Sequence, residues 1–87
     1  MAGRYEVRFA PAASRQLRKL DRAPQQRILL AMRMLATAPR PPGAKVLKGR
    51  PGYLRVRVGD HRVIYTVDDG VLLVLVVGVG HRKDVYR

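Results

Sequence analysis

Hydrophobic and polar positions alternate most cleanly over Tyr53-Leu-Arg-Val-Arg-Val-Gly-Asp-His-Arg-Val-Ile-Tyr65. In an extended chain Leu54, Val56 and Val58 share one side, and Tyr53, Arg55 and Arg57 share the other. Gly59-Asp60 predicts a two-residue hairpin turn, because such turns require the positive φ that Gly tolerates. That loop length sets a register: Val58 opposite His61, Arg57 opposite Arg62, Val56 opposite Val63. Two arginines directly across from each other are destabilising by some tenths of a kcal/mol to about 1 kcal/mol. An anion seated between them is one reason to keep the pair. For a lone pair, two side chains splayed into water is the simpler reading, so the case for an anion rests on what else converges there.

The rest of the chain reads by the same patterns. Tyr5, Val7 and Phe9 alternate with Arg4, Glu6 and Arg8, which predicts a first strand. Pro11 suits a first helical position, and Ala10, Ala13, Leu17 and Leu20 then follow one helix face, with Arg15, Arg18 and Lys19 on a solvated one. Asp21 is placed to cap a second helix that carries Pro24 in its first turn. Its apolar stripe is Ile28, Leu29, Met32, Leu35 and Ala36. Leu30, Ala31 and Met34 widen the stripe and predict cover on more than one side. The short break between the helices makes them antiparallel neighbours. Residues 38–52 hold Pro39, Pro41, Pro42, Gly43, Gly49, Pro51 and Gly52, with the basic residues Lys45, Lys48 and Arg50 among them. Such a length predicts a short element or a functional loop, and Lys45, Lys48 and Arg50 are its candidate contacts to a polyanion, RNA if the charge reading below holds. The second hairpin strand runs from His61 to Val67. Asp69-Gly70 predicts another tight turn, and Val71–Gly78 reads as a central strand covered on both faces. The order β-α-α-β-β-β predicts a two-layer α+β fold in one domain, residues 1–87: a largely antiparallel four-stranded sheet packed on an αα-hairpin.

Carrying the register through an Asp69-Gly70 turn puts Asp68 opposite Val71, Arg62 opposite Val77 and His61 opposite Gly78. His81 and Arg82 then emerge near Arg57 and Arg62, with Gly78 and Gly80 letting the backbone bend. Arg55, Arg57, Arg62, His81, Arg82 and Tyr86 are thereby gathered at one concave end of the sheet, a set suited to a phosphodiester. A one-residue slip would scatter it.

Charge strengthens this reading. The 87 residues carry 18 Lys and Arg against 6 Asp and Glu, a net charge of +12, and Arg outnumbers Lys fourteen to four. Guanidinium groups favour bidentate phosphate or carboxylate contacts. RNA, DNA, a ribonucleoprotein or an acidic, partly disordered protein are the partners such a surface invites. Cysteine is absent, which excludes disulfides, thiolate zinc sites and a Cys nucleophile. The N-terminal residues form no signal-peptide-like apolar run, and no stretch approaches a membrane span, so a cytoplasmic location without membrane contact is expected. Two histidines without thiols or HxxxH spacing, and aspartates in turns, predict neither a metal nor a cofactor. A nuclease built from these residues must use the ribose 2′-hydroxyl as nucleophile, with arginines stabilising phosphoryl charge. That chemistry cuts RNA and spares DNA.

Almost the whole chain resembles the RelE/ParE toxin superfamily of bacterial type II toxin–antitoxin modules. The resemblance rests on Tyr5-Glu-Val-Arg-Phe, Leu17-Arg-Lys-Leu20, Pro39-Arg-Pro-Pro, Leu47-Lys-Gly49, Gly52 to Tyr65, and Gly80-His-Arg-Lys-Asp-Val-Tyr86. The last two segments together are specific. The resemblance implies a RelE-like fold and a metal-independent endoribonuclease that cuts mRNA on the ribosome and so inhibits translation. It also implies a cognate antitoxin, with a toxin–antitoxin hetero-oligomer on operator DNA. In that family Arg57 and Arg62 would stabilise the phosphate, Arg82 would serve the leaving 5′-oxygen, and Tyr86 would orient the 2′-hydroxyl or stack a base. Arg55 and Arg57 stand where the best-known members use Lys. Arg stays protonated and is a poor base, which moves that role to His81, to Tyr86 or to the ribosome. The alternative within the same superfamily is a ParE-type inhibitor of DNA gyrase without nuclease activity.

Overall fold

The computed structural model describes residues 4–81; Arg82 and Tyr86 of the expected site lie outside them. The elements run β1 (Glu6–Phe9), α1 (Pro11–Arg18), α2 (Arg22–Leu35), β2 (Lys45–Val46), β3 (Tyr53–Val58), β4 (His61–Asp68) and β5 (Leu73–His81). The fold is α+β, as the pattern predicts. The sheet has five strands rather than four, in the order β1-β5-β4-β3-β2. The additional strand, β2, lies inside the Pro- and Gly-rich stretch and pairs antiparallel with β3. The sheet is mixed, because β1 runs parallel to β5 with Glu6 opposite Leu73 and Phe9 opposite Val76.

One face of the sheet is covered by the helices. Ala13 and Leu17 of α1 and Ile28, Met32 and Leu35 of α2 pack with Val63, Tyr65, Val74, Val76 and Val79 in one core. Pro11 opens α1, where its missing N–H costs nothing. Asp21 occupies the N-cap position of α2, but its side chain makes no capping hydrogen bond. The Gln25 side chain instead donates to the Leu17 carbonyl at 3.0 Å and ties the start of α2 to the end of α1. The expected cover on several sides of α2 is corrected. Leu29, Leu30 and Met34 are exposed, Met34 by 67%. The sheet accepts only the Ile28–Met32–Leu35 line, because a helix packed on one layer buries one stripe.

The β3–β4 hairpin has the register its sequence predicts, with Val58 opposite His61, Arg57 opposite Arg62 and Val56 opposite Val63. Gly59 takes φ 60° in the turn. The β4–β5 register differs from expectation. Asp68 pairs with Leu73, not Val71, so the connection is a longer turn that includes Leu72 at φ 55°. The Asp68 carboxylate accepts from the N–H groups of Gly70 and Val71, which favours this turn over a tight Asp-Gly pair. A bulge follows: Tyr65 pairs with Val76 but Ile64 pairs with Gly78, so Val77 is the extra residue. Arg62 therefore lies opposite Gly80 and His61 opposite His81. Strand β5 is interior but not covered on both faces. Val74, Val76 and Val79 are buried, whereas Leu75 and Val77 on the far side are partly exposed.

Candidate nucleic-acid interface

The face of the sheet away from the helices is basic. Side chains alternate across a strand, and directly paired residues share a face. Arg55 pairs with Lys45 on one side and Ile64 on the other; Arg57 pairs with Arg62. Lys45, Arg55, Arg57 and Arg62 thus project from one surface, opposite Leu54, Val56, Val58 and Val63. Arg57 is exposed and its Nε donates to the Gly59 carbonyl at 3.2 Å. Arg62 is half-buried, with Nε shielded from solvent. Arg50 stacks over the Tyr53 ring with its guanidinium carbon 4.6 Å from the ring centre, a cation–π contact. Lys48 is exposed in the same loop.

A cleft of about 490 Å³ opens on this surface. Gln16, Arg50, Tyr53, Ile64 and the β5 residues 77–80 line it, with Gly78 and Gly80 leaving its floor free of their own side chains. The bulge creates that floor. Before Val77 the residues of β5 that face the helices are Val74 and Val76; after it they are Val79 and His81. Gly78 and Gly80 are turned to the basic face, where neither contributes a side chain. Bulges commonly re-aim side chains beside functional sites.

The same parity change separates His81 from the arginines. His81 lies across from His61, whose partner Val58 faces the core. The two imidazoles meet edge to face, ring centres 5.9 Å apart. His61 also borders a smaller cleft of about 190 Å³ with Pro24, Arg27 and Asp60. The structure therefore brings together Arg55, Arg57 and Arg62, with Lys45 and Arg50 beside them. It places His81 on the other face, contrary to the convergence expected from a tight Asp69-Gly70 turn. Sequence reasoning missed Gln16 and the two-glycine floor. Gln16 follows Ala13 by three residues, at the margin of the apolar face of α1, and a polar residue there carries no signal without the tertiary position of the helix.

Opposite charges interlock at the other end of the sheet. Arg40 donates to both carboxylate oxygens of Asp69, at 3.2 and 2.9 Å, and the Tyr5 hydroxyl donates to Oδ1 at 2.5 Å. Hydrogen bonds from Arg40, then from Tyr5, hold the Asp69 carboxyl below its ordinary range. The hydrogen bond to Asp69 raises the Tyr5 phenol. Among the described residues no group of three or more His, Asp or Glu could hold a metal ion. No described helix is long and apolar enough to cross a membrane.

Comparisons with known proteins agree with the architecture. Residues 7–86 match the family model described as the ParE toxin of the type II toxin–antitoxin system parDE. A putative RelE-like toxin protein of Escherichia coli is 35% identical over 87 residues, spanning 97% of this chain and 92% of that protein. The RelBE2 toxin–antitoxin complex of Mycobacterium tuberculosis contains a chain that is 30% identical and superimposes with a TM-score of 0.80, covering 91% of this chain and 99% of that one. The archaeal RelE–RelB complex of Pyrococcus horikoshii also gives a TM-score of 0.80, at 26% identity over 92% and 97% of the two chains. With its fold, its basic sheet face and a family match over nearly its full length, this chain belongs to the RelE/ParE superfamily of type II toxin–antitoxin toxins.

Proposed function

We propose that this toxin is a metal-independent endoribonuclease that cleaves mRNA on the ribosome and so inhibits translation in the cytoplasm. The observation that carries the reading is the Arg57–Arg62 pair, set in register across the hairpin on the uncovered face. A phosphodiester seated there would receive two guanidiniums, with Arg55 beside them. Preorganised cations of this kind stabilise the charge that develops on phosphoryl oxygens as the 2′-hydroxyl attacks. Lys45, Lys48 and Arg50 extend the basic track for the RNA backbone. By the family resemblance, Arg82 serves the leaving 5′-oxygen and Tyr86 orients the 2′-hydroxyl. The register leaves His81 poorly placed for the base role, which favours Tyr86 or a ribosomal group.

A cognate antitoxin is the second partner. The similar structures from Pyrococcus and Mycobacterium are toxin–antitoxin complexes. The exposed Leu29, Leu30 and Met34 line and a net charge of +12 suit an amphipathic, acidic partner chain.

The family model carries the ParE description, and by the family resemblance the second reading is a ParE-type inhibitor of DNA gyrase. A gyrase binder has no need of the paired arginines. Both activities are measured side by side by mapping mRNA 5′ ends in a translating extract and by a gyrase supercoiling assay. New codon-dependent ends that vanish when the scissile nucleotide carries a 2′-O-methyl group are expected. Inhibited supercoiling with no new ends would overturn the nuclease reading.

A further inference from the structure

We propose that the cleft beside the arginine pair is a nucleobase site and that Gln16 reads the base. The proposal rests on the nuclease reading for its substrate, RNA, and adds a specificity residue from a helix that carries none of the expected site residues. Strand β1 ends at Phe9, opposite Val76. Beyond that point the edge of β5 has no neighbouring strand among the described residues, and α1 runs alongside. There the Val79 N–H donates to Gln16 Oε1 at 2.7 Å. An N–H can only be met by the amide oxygen, so this bond fixes which way the Gln16 amide points. The amide nitrogen, with its two donor hydrogens, is then the end available to a ligand in the cleft that Gln16 borders.

The remaining walls suit a flat heterocycle. Arg50 stacked on Tyr53 offers a π-surface of the kind on which bases stack. Gly78 and Gly80 keep the floor open, and Ile64 gives it an apolar centre. A cleft of about 490 Å³ lies within the size range of small-ligand sites. Arg62 pairs with Gly80 and Arg55 with Ile64, so a base lying on this floor has its phosphate at the arginines. Donors from Gln16 match the keto oxygen of guanine (O6) or uracil (O4), where adenine and cytosine carry amino groups.

Two substitutions isolate the claim. Gln16→Glu keeps an oxygen for the Val79 N–H and replaces the donor end with an acceptor. Gly78→Leu fills the floor without backbone strain, because a Cβ there would sit 3.8 Å from the Ile64 Cβ, an ordinary contact. The experiment titrates GMP, UMP, AMP and CMP into isotope-labelled toxin and follows the Gln16 side-chain amide and the Val79 and Gly80 backbone amides by NMR. GMP and UMP are expected to bind about tenfold more tightly than AMP and CMP, the worth of one hydrogen bond. Gln16→Glu should reverse that order. Gly78→Leu should weaken all four nucleotides while inorganic phosphate still shifts the Arg57 and Arg62 signals. Nucleotides that shift only the arginine signals, as phosphate does, would overturn the proposal, as would an unchanged order in Gln16→Glu. These readouts need no cleavage. A toxin that binds GMP in the cleft but makes no new mRNA ends keeps the base site and loses the nuclease reading. One that cuts mRNA with no shift at Val79 does the reverse.

Discussion

The two ends of the sheet handle charge in opposite ways. Where β4 meets β5, Arg40, Asp69 and Tyr5 interlock plus against minus. Where β3 meets β4, Arg57 is set across from Arg62, plus against plus. The same chain produces both, through a two-residue turn at one end and a longer one at the other. A fold that can place a carboxylate beside an incoming arginine at one end has no structural need for a like-charged pair at the other. The first end reads as a fastening: it holds the proline-rich loop and the start of β1 to the β4–β5 turn. The second reads as a seat for an anion supplied by a partner.

Substitutions at the two ends should separate accordingly. The largest effect is expected from Arg62→Ala, which removes one member of the proposed phosphate seat. Cleavage in a translating extract should fall by ~10²–10³, the usual cost of losing one preorganised charge donor at a developing oxyanion. Cleavage that survives Arg62→Ala would place the seat elsewhere. His81→Ala is the control from the other face, and its cleavage rate should stay within about threefold of the parent's, because the register sets it opposite His61 and not on the face of Arg57 and Arg62. A loss as large as that of Arg62→Ala would mean that His81 reaches the reacting atoms.

Stability effects belong to the fastened end and the core beside it. The buried Tyr65 ring donates its hydroxyl to the Pro39 carbonyl at 2.8 Å. Tyr65→Phe leaves that carbonyl unmet and should cost about 1–2 kcal/mol in urea unfolding, with no effect on the arginine face. Asp69→Asn should act more weakly and in a pH-dependent way. Its carboxyl lies below the ordinary 3.8 because of Arg40 and Tyr5, so its contribution is present above that value. The contribution is lost as the pH falls through the lower folded value. The parent's melting temperature should therefore drop more steeply than that of Asp69→Asn below roughly pH 4. Tyr5 titrates above its usual 10, so the phenol's share persists through neutral pH and disappears only in strong alkali. Parallel acid limbs in the two proteins would show that the Asp69 fastening contributes nothing.

The sequence revealed the hairpin in full because Gly59-Asp60 leaves only one short loop and alternation on both sides agrees with it. Helix α1 and the core of α2 were legible for the same reason: Ala13, Leu17, Ile28, Met32 and Leu35 repeat at helical spacing. The β4–β5 register was not. An Asp-Asp-Gly sequence suits a tight turn, but the Asp68 carboxylate caps a longer one, and an all-apolar strand carries no alternation to show where a bulge falls. That one region decides which face His81 and the two glycines take. Strand β2 was legible only as a short element of unstated type, because two residues between Pro- and Gly-rich runs give no periodicity. Arg55, Arg57 and Arg62 were legible as a group because they lie in the hairpin itself. Gln16 was not, since its proposed role depends on where β1 stops.

The central claim is that the Arg57–Arg62 pair is held for a phosphate and against stability. Arg57→Gln tests it most directly, since this exposed side chain can lose its charge and stay polar and unbranched at Cβ. Melting temperature and mRNA cleavage are to be measured on the same preparation. Relief of like charge should leave the melting temperature unchanged or raise it by up to ~4 °C, while cleavage falls at least ~10-fold. A lower melting temperature with cleavage intact would contradict the account, because the pair would then serve the fold and not the substrate.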